Sequence, residues 1–160
     1  SYNYTLASGE KYIIVANGIV SGSGYSPATP FNLYVYPLAR EAATDTTETD
    51  VLVFHGSTDA PTVDVVEIGA GAGTIVDDLS YSEFAGYLEL PTADYVLSVR
   101  DQTGTVSVAA FDAPLASLNL DGVALTVVAS GFLDPSANSD GAAFGLYVAL
   151  PDGGDLIALP

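Results

Sequence analysis

The sequence predicts an all-β protein, an antiparallel Ig-like β-sandwich. Three observations lead there. The 160 residues include 16 Gly and 9 Pro, which punctuate short runs of β-branched and aromatic residues. Those runs recur at spacings of about 8–15 residues, the rhythm of a sandwich. Helix signals are nearly absent. The best is Ser80 to Phe84, where Ser80 is a candidate N-cap with Glu83 three residues on, enough for one turn at most.

Taken in order, the first strand is Tyr12 to Val20. The second, Phe31 to Tyr36, places Phe31, Leu33 and Val35 on one face and Asn32, Tyr34 and Tyr36 on the other. Asp50 to His55 is the third. Thr62 to Ile68 follows, with Val63 and Val65 opposed to Asp64 and Val66. Gly86 to Leu90 and Tyr95 to Arg100 flank Pro91-Thr92-Ala93-Asp94, which reads as a hairpin loop. In Tyr95 to Arg100 the side chains of Tyr95, Leu97 and Val99 are expected inside, and Ser98 and Arg100 outside. Thr105 to Phe111, Ala124 to Phe132, Phe144 to Leu150 and Leu156 to Leu159 complete the set.

Residues 12–36 and 125–149 are one segment written twice. With Tyr12 set on Leu125 and no gap, Val15, Ala16, Gly18, Ser23 and Ser26 meet identical residues at 128, 129, 131, 136 and 139. Phe31, Leu33, Tyr34 and Val35 meet identical residues at 144, 146, 147 and 148, giving nine identities in 25 positions. Chance supplies about two at ordinary residue frequencies. The offset of 113 residues is a domain length and not a solenoid period. Residues 51–160 therefore read as one complete period, and 1–40 as the second half of another. The polar, acidic stretch 41–50 reads as a linker between them.

The run Val51-Leu-Val-Phe-His-Gly-Ser-Thr-Asp-Ala-Pro-Thr-Val-Asp-Val65 resembles the opening motif of domain-of-unknown-function family 4397. That motif is a strand, then His-x-Ser-x-Asp-Ala-Pro, then a Val-Asp-Val strand. The similarity continues through Gly86 to Pro91, Tyr95 to Val99, Thr126 to Gly131 and Leu146 to Val148. Gly56 stands where the family commonly has Ala. The resemblance spans 51–160, and residues 4–36 resemble the family's second half again. It implies a β-sandwich, often in tandem, in secreted or cell-surface proteins of bacteria and archaea. It implies no catalytic activity and supplies no functional residues.

Composition narrows the partners. Twenty acids oppose three cations, Lys11, Arg40 and Arg100, for a net charge of −17. Nucleic acid and anionic membrane surfaces need clustered Lys and Arg, so both are disfavoured. Such a charge suits a saline or calcium-containing exterior, where cations screen self-repulsion. No apolar run approaches the roughly 18 residues of a membrane span. Cys, Met and Trp are absent, so there is no disulfide, no thiol chemistry and little to oxidise. With no signal peptide and no initiator Met, Ser1 is expected to begin a processed chain or an excised fragment.

His55, Ser57 and Asp59 invite comparison with a catalytic triad. Three residues spaced by two along one strand lie about 7 Å apart in succession, too far for a nucleophile and its base. The expectation is instead that Ser57 and Asp59 hydrogen-bond a turn fixed by Pro61, with His55 packed beside it. One His and no Cys cannot make a usual zinc site. Calcium has a better candidate in the oxygen-rich loop Asp134-Pro-Ser-Ala-Asn-Ser-Asp140, with Asp134, Asn138 and Asp140 as ligands and Asp77-Asp78 as a second acidic pair. The loop lacks EF-hand spacing, and its repeat counterpart, Ser21 to Ala28, has no acid. No two of the twenty acids stand out as a glycosidase pair. Tyr34, Tyr36 and Tyr147 share strand faces that could carry a sugar, or else simply cover apolar surface. Lys11 is the sole Lys available for an isopeptide crosslink.

These readings converge on a non-enzymatic structural module of an extracellular surface protein, a fibre subunit or adhesin repeat. Its expected partner is itself, through strand addition by residues 1–40, whose faces and edges would otherwise lie bare; the alternatives for 1–40 are extra strands in the same sandwich or a fragment of a tandem array cut in mid-domain. A carbohydrate- or calcium-binding module is the alternative, and a hydrolase the least favoured.

Overall fold

The computed structural model describes all 160 residues and contains eleven strands. They are β1 (Tyr12–Asn17), β2 (Asn32–Pro37), β3 (Glu48–His55), β4 (Val63–Glu67), β5 (Gly73–Leu79) and β6 (Phe84–Pro91), followed by β7 (Asp94–Asp101), β8 (Ser107–Pro114), β9 (Ala124–Ser130), β10 (Gly145–Ala149) and β11 (Ile157–Ala158). The one helical element is a 3-10 turn at Pro135–Ala137.

Two sheets form the sandwich. One has the order β11-β10-β9-β3-β6 and the other β5-β4-β7-β8. All neighbours are antiparallel except β3 and β9, which run parallel in register from Asp50↔Ala124 to His55↔Ala129. Val51, Val53, Leu125, Val127, Leu146 and Val148 from the first sheet meet Val63, Val65, Val76, Tyr95 and Val99 from the second. These alternate positions exclude water from the core, the main driving force for the fold.

A third layer lies on the first sheet. β1 and β2 pair only with each other. Alternation sends Ile13, Val15, Asn17, Tyr34 and Tyr36 toward the sandwich. Tyr34 packs on Phe54 with ring centroids 5.4 Å apart, and Tyr36 packs on Phe84 at 5.2 Å and Tyr87 at 5.8 Å. Leu52 and Phe54 point away from the main core, yet both are 0% exposed because the ribbon covers them. Residues 1–40 do not add strands to either sheet of their own sandwich, one of the alternatives open to them. They stack face-on over their own sandwich, and no residue before Thr49 is fully buried.

Four local expectations change. Pro91 to Asp94 is not a hairpin loop, since β6 pairs with β3 while β7 pairs with β4 and β8. The chain crosses between sheets there, held by Thr92 N–H on Thr47 O at 3.1 Å. The linker is shorter than 41–50, because Glu48, Thr49 and Asp50 belong to β3. Thr49 and Asp50 are fully buried; the Thr49 hydroxyl donates to Leu120 O at 2.9 Å. Ser80 to Phe84 is a turn closed by Glu83 N–H on Ser80 O and Ser80 N–H on Glu83 Oε2, each 3.1 Å, and not a helix. Finally, β5 is a strand hidden in a Gly-rich stretch, with its pairing shifted between Val63 and Val65 and Asp78 at φ 51°.

Candidate functional site

The most site-like region is where the ribbon meets the sandwich. Between β1 and the outer face of β9 and β10 lies an open cleft of about 860 Å³. Ile13 and Val15 line one wall, and Thr126, Val128, Ser130 and Tyr147 the other. Lys11 and Arg40, two of the three cations, also line it. Lys11 Nζ donates to Glu41 Oε2 at 2.6 Å, so its partner is a carboxylate and not the Asn of an isopeptide. Arg40 is more deeply set. Its guanidinium bridges Asp50 at 2.6 Å and Glu89 at 2.8 Å and lies over the Tyr87 ring at 4.6 Å.

One end of the interface is a knot of loops built by the residues singled out for chemistry. Ser57 Oγ donates to Gly131 O at 2.7 Å and lies 3.2 Å from Asp59 Oδ1. Asp59 accepts from Leu133 N–H at 3.0 Å, Asp134 N–H at 2.9 Å and Asn138 Nδ2 at 3.2 Å. Ser57 and Asp59 bond each other, but their remaining hydrogen bonds go to the 131–138 loop and not, as expected, to the turn at Pro61. His55 Nε2 pairs with Pro61 O at 2.9 Å, which makes Nε2 the protonated nitrogen. Its Nδ1 has no partner, and Ser57 makes its hydrogen bonds elsewhere, so the three residues do not form a relay.

Burial holds the His55 pKa below its ordinary value, although the Pro61 carbonyl and nearby Glu83 oppose this. The neutral ring is therefore the native form. The unfolded chain takes up a proton near pH 6.5 and the folded chain only at lower pH. The stability that His55 contributes is full above pH 6.5 and falls as pH drops toward the folded value. Urea denaturation from pH 7.5 to 5 should show this loss, and His55→Gln should flatten it; an equal slope in both proteins would refute the assignment.

The calcium candidates are largely committed to the chain itself. Asp134 Oδ1 caps the 3-10 turn, accepting from Ser136 Oγ at 2.6 Å and Ala137 N–H at 3.2 Å. Asn138 is 0% exposed; its Nδ2 reaches Asp134 O at 2.9 Å, and its Oδ1 receives Ser26 N–H from the ribbon at 3.0 Å. Asp140 is exposed at φ 52°. No group of three or more His, Cys, Asp or Glu is placed to hold a metal, Asp77-Asp78 included. If Asp134, Asn138 and Asp140 bind calcium, it should raise the melting temperature well beyond what sodium does at equal ionic strength, and equal effects of the two salts would mean screening of the net charge alone.

The buried carboxylates are likewise structural. Asp64 Oδ1 accepts Asp78 N–H at 2.8 Å. Glu67 accepts N–H groups of Gly69, Ala70, Ala72 and Val96, which together pull its pKa down to about 2. Tyr34 and Tyr36 cover apolar surface, whereas Tyr147 lines the cleft.

Two residues join the layers: Asn17, which sequence reasoning passed over, and Gly56, which it noted only as a departure from the motif. Asn17 Nδ2 donates to Gly56 O at 2.8 Å. A Cβ on residue 56 would lie 2.8 Å from that nitrogen and 2.9 Å from Ala129 O. Gly56, with no Cβ, thus leaves room for the ribbon to dock. Gly56→Ala is expected to cost about 1–3 kcal/mol. It should speed amide exchange in β1 and β2 well before it does so in the sandwich; unchanged exchange in the ribbon would contradict this.

No curated protein and no solved structure matches the chain. A family model does, the one described as Domain of unknown function (DUF4397), over residues 49–142. That match runs from the start of β3 to the loop before β10 and includes the whole knot around Asp59. The chain belongs to the DUF4397 family.

Proposed function

We propose that the chain is a non-enzymatic structural module of an extracellular surface protein, a repeat unit of a fibre or adhesin. The observation that carries this reading is the ribbon. A complete sandwich holds, packed on its back, a second copy of its own β9–β10 hairpin. Such an arrangement suits units stacked along an array, with each interface built from the family's own strands. The net charge of −17 supports an exposed, salt-screened setting. The side chains best placed for chemistry are spent on holding loops together.

Two measurements test this. Treating intact cells with a membrane-impermeant amine reagent should label the parent protein at exposed Lys11; labelling only after lysis would remove the extracellular setting. The purified parent protein should sediment as an elongated particle, and a compact globule would remove the fibre.

Carbohydrate binding is the second reading, favoured by the cleft with Tyr147 beside the hydroxyls of Thr126 and Ser130. Saturable glycan binding that Tyr147→Ala abolishes would establish it.

A further inference from the structure

We propose that the outward face of the β1–β2 ribbon is the docking site for the first-half unit of a second domain of this family, strands equivalent to β3–β8. This deepens the repeat-unit reading and rests on it.

The ribbon is the same object as the β9–β10 hairpin. The pair Asn17↔Asn32 shifted by 113 is Ser130↔Gly145, and Ile13↔Tyr36 becomes Thr126↔Ala149. The isolated bridge Ile19↔Pro30 recurs as Phe132↔Ala143. The turn Glu10 N–H to Ala7 O recurs as Val123 N–H to Leu120 O, with Gly9 and Gly122 both at positive φ. Gly18 and Gly131 also share positive φ; a Cβ would lie 2.5 Å from Pro30 O in one and closer still to Ala143 O in the other. Equivalence therefore extends to backbone register and turn geometry.

The two hairpins meet back to back. In β9–β10 the core face is Leu125, Val127, Ala129, Leu146 and Val148. The equivalents in the ribbon are Tyr12, Ile14, Ala16, Leu33 and Val35, and these face away from the sandwich. Val127 is 7% exposed, whereas Ile14 is 51% exposed. Val148 is 0% exposed, whereas Val35 is only half-buried. The cover is thin: Tyr2 edges onto Phe31, and the Tyr4 hydroxyl donates to Leu33 O, while Tyr2 and Tyr4 stay 47% and 44% exposed.

The edges are open in the same sense. β9 has β3 on one side and β10 on the other, but β1 has only β2. Leu146 O receives Leu159 N–H from the β11 segment, while the equivalent Leu33 O holds a tyrosine hydroxyl. A face with a sandwich core's pattern, on a hairpin of sandwich register, is complementary to a β3–β8 unit. The β3–β8 unit of another copy of this chain is already filled by its own β9 and β10. The occupant is thus the first half of a neighbouring repeat and not a second copy of these 160 residues.

In the repeat register Ser1 falls on Pro114, so a copy of residues 48–113 placed ahead of Ser1 continues the period. Hydrogen exchange on this extended chain should show β1–β2 amides slowed by more than about 100-fold relative to the 160-residue chain, toward the rates of β9–β10. Ile14→Asp should abolish that gain, while shifting the melting temperature of the 160-residue chain by less than about 2 °C. Two results would overturn the proposal. One is equal ribbon exchange in both chains, including the case where the added segment fails to fold. The other is a dimer of the 160-residue chain that Ile14→Asp dissociates, which would give the face to a second copy. None of these readouts depends on cell-surface location, so the proposal and the extracellular reading fail separately.

Discussion

Replacing Arg40 with alanine is expected to lower the unfolding free energy by about 2–3 kcal/mol, or roughly 5–10 °C in melting temperature. Asp50 is 0% exposed, and its Oδ2 is held by the Arg40 guanidinium at 2.6 Å and Thr44 N–H at 3.0 Å. Removing the guanidinium leaves a buried carboxylate with only neutral donors, and the desolvation penalty then stands uncompensated. Arg40 is itself about one-third exposed, which places the loss below that of a fully buried pair. Arg40→Lys should recover only part of it. A single ammonium cannot span Asp50 and Glu89 while lying flat on Tyr87. The check is urea denaturation of Arg40→Ala, Asp50→Asn and the double variant. A coupling energy below about 0.5 kcal/mol would mean that the pair is an ordinary surface contact.

That ion pair shows what sequence made legible and what it did not. Alternation at Tyr95, Leu97 and Val99 correctly placed the core face of β7, but Ser98, expected outside, is only 3% exposed, because Arg100 and Ser107 close over its hydroxyl on the far face. The same rule hid the third layer. Val51-Leu-Val-Phe is apolar at every position, the pattern of a strand covered on both faces, and the cover proved to be the ribbon. Asp50 looked like part of an acidic linker because its partner, Arg40, is close in sequence but reaches it only once the ribbon has folded back. Pro91 to Asp94 has hairpin chemistry, yet local turn signals say nothing about which sheet each flanking strand joins. β5 was invisible since Gly73 and the Asp77-Asp78 pair have low strand propensity, and pairing with β4 overrides it. At the loop knot, the sequence marked Ser57, Asp59 and Asn138 as notable but could not tell a ligand set from a set of loop ties. The difference lies in Ser26 N–H, which is 112 residues away from Asn138.

Phe54→Ala carries the largest expected effect, about 3–5 kcal/mol, a large share of the 5–15 kcal/mol that typically stabilises a domain. Phe54 is fully buried between Tyr34 at 5.4 Å and Phe84 at 4.6 Å. Its loss removes the central ring of a cluster that also includes Tyr36 and Tyr81. The consequence should be uneven. Val53, its neighbour on the opposite face of β3, belongs to the core between the two sheets. Val53→Ala should cost about 2 kcal/mol and weaken the sandwich as a whole. Phe54→Ala should first release the ribbon, whose own contacts include no fully buried residue before Thr49. The chain has ten Tyr and no Trp, so its near-ultraviolet circular dichroism reports largely on tyrosines such as Tyr34 and Tyr36. In Phe54→Ala that signal should fade at a lower temperature than the far-ultraviolet strand signal, whereas in Val53→Ala the two should melt together. Coincident transitions in Phe54→Ala would mean that ribbon and sandwich form one cooperative unit. In that case the ribbon would not behave as a hairpin held in waiting for a neighbouring half-domain, because its order would be inseparable from the sandwich on which it lies.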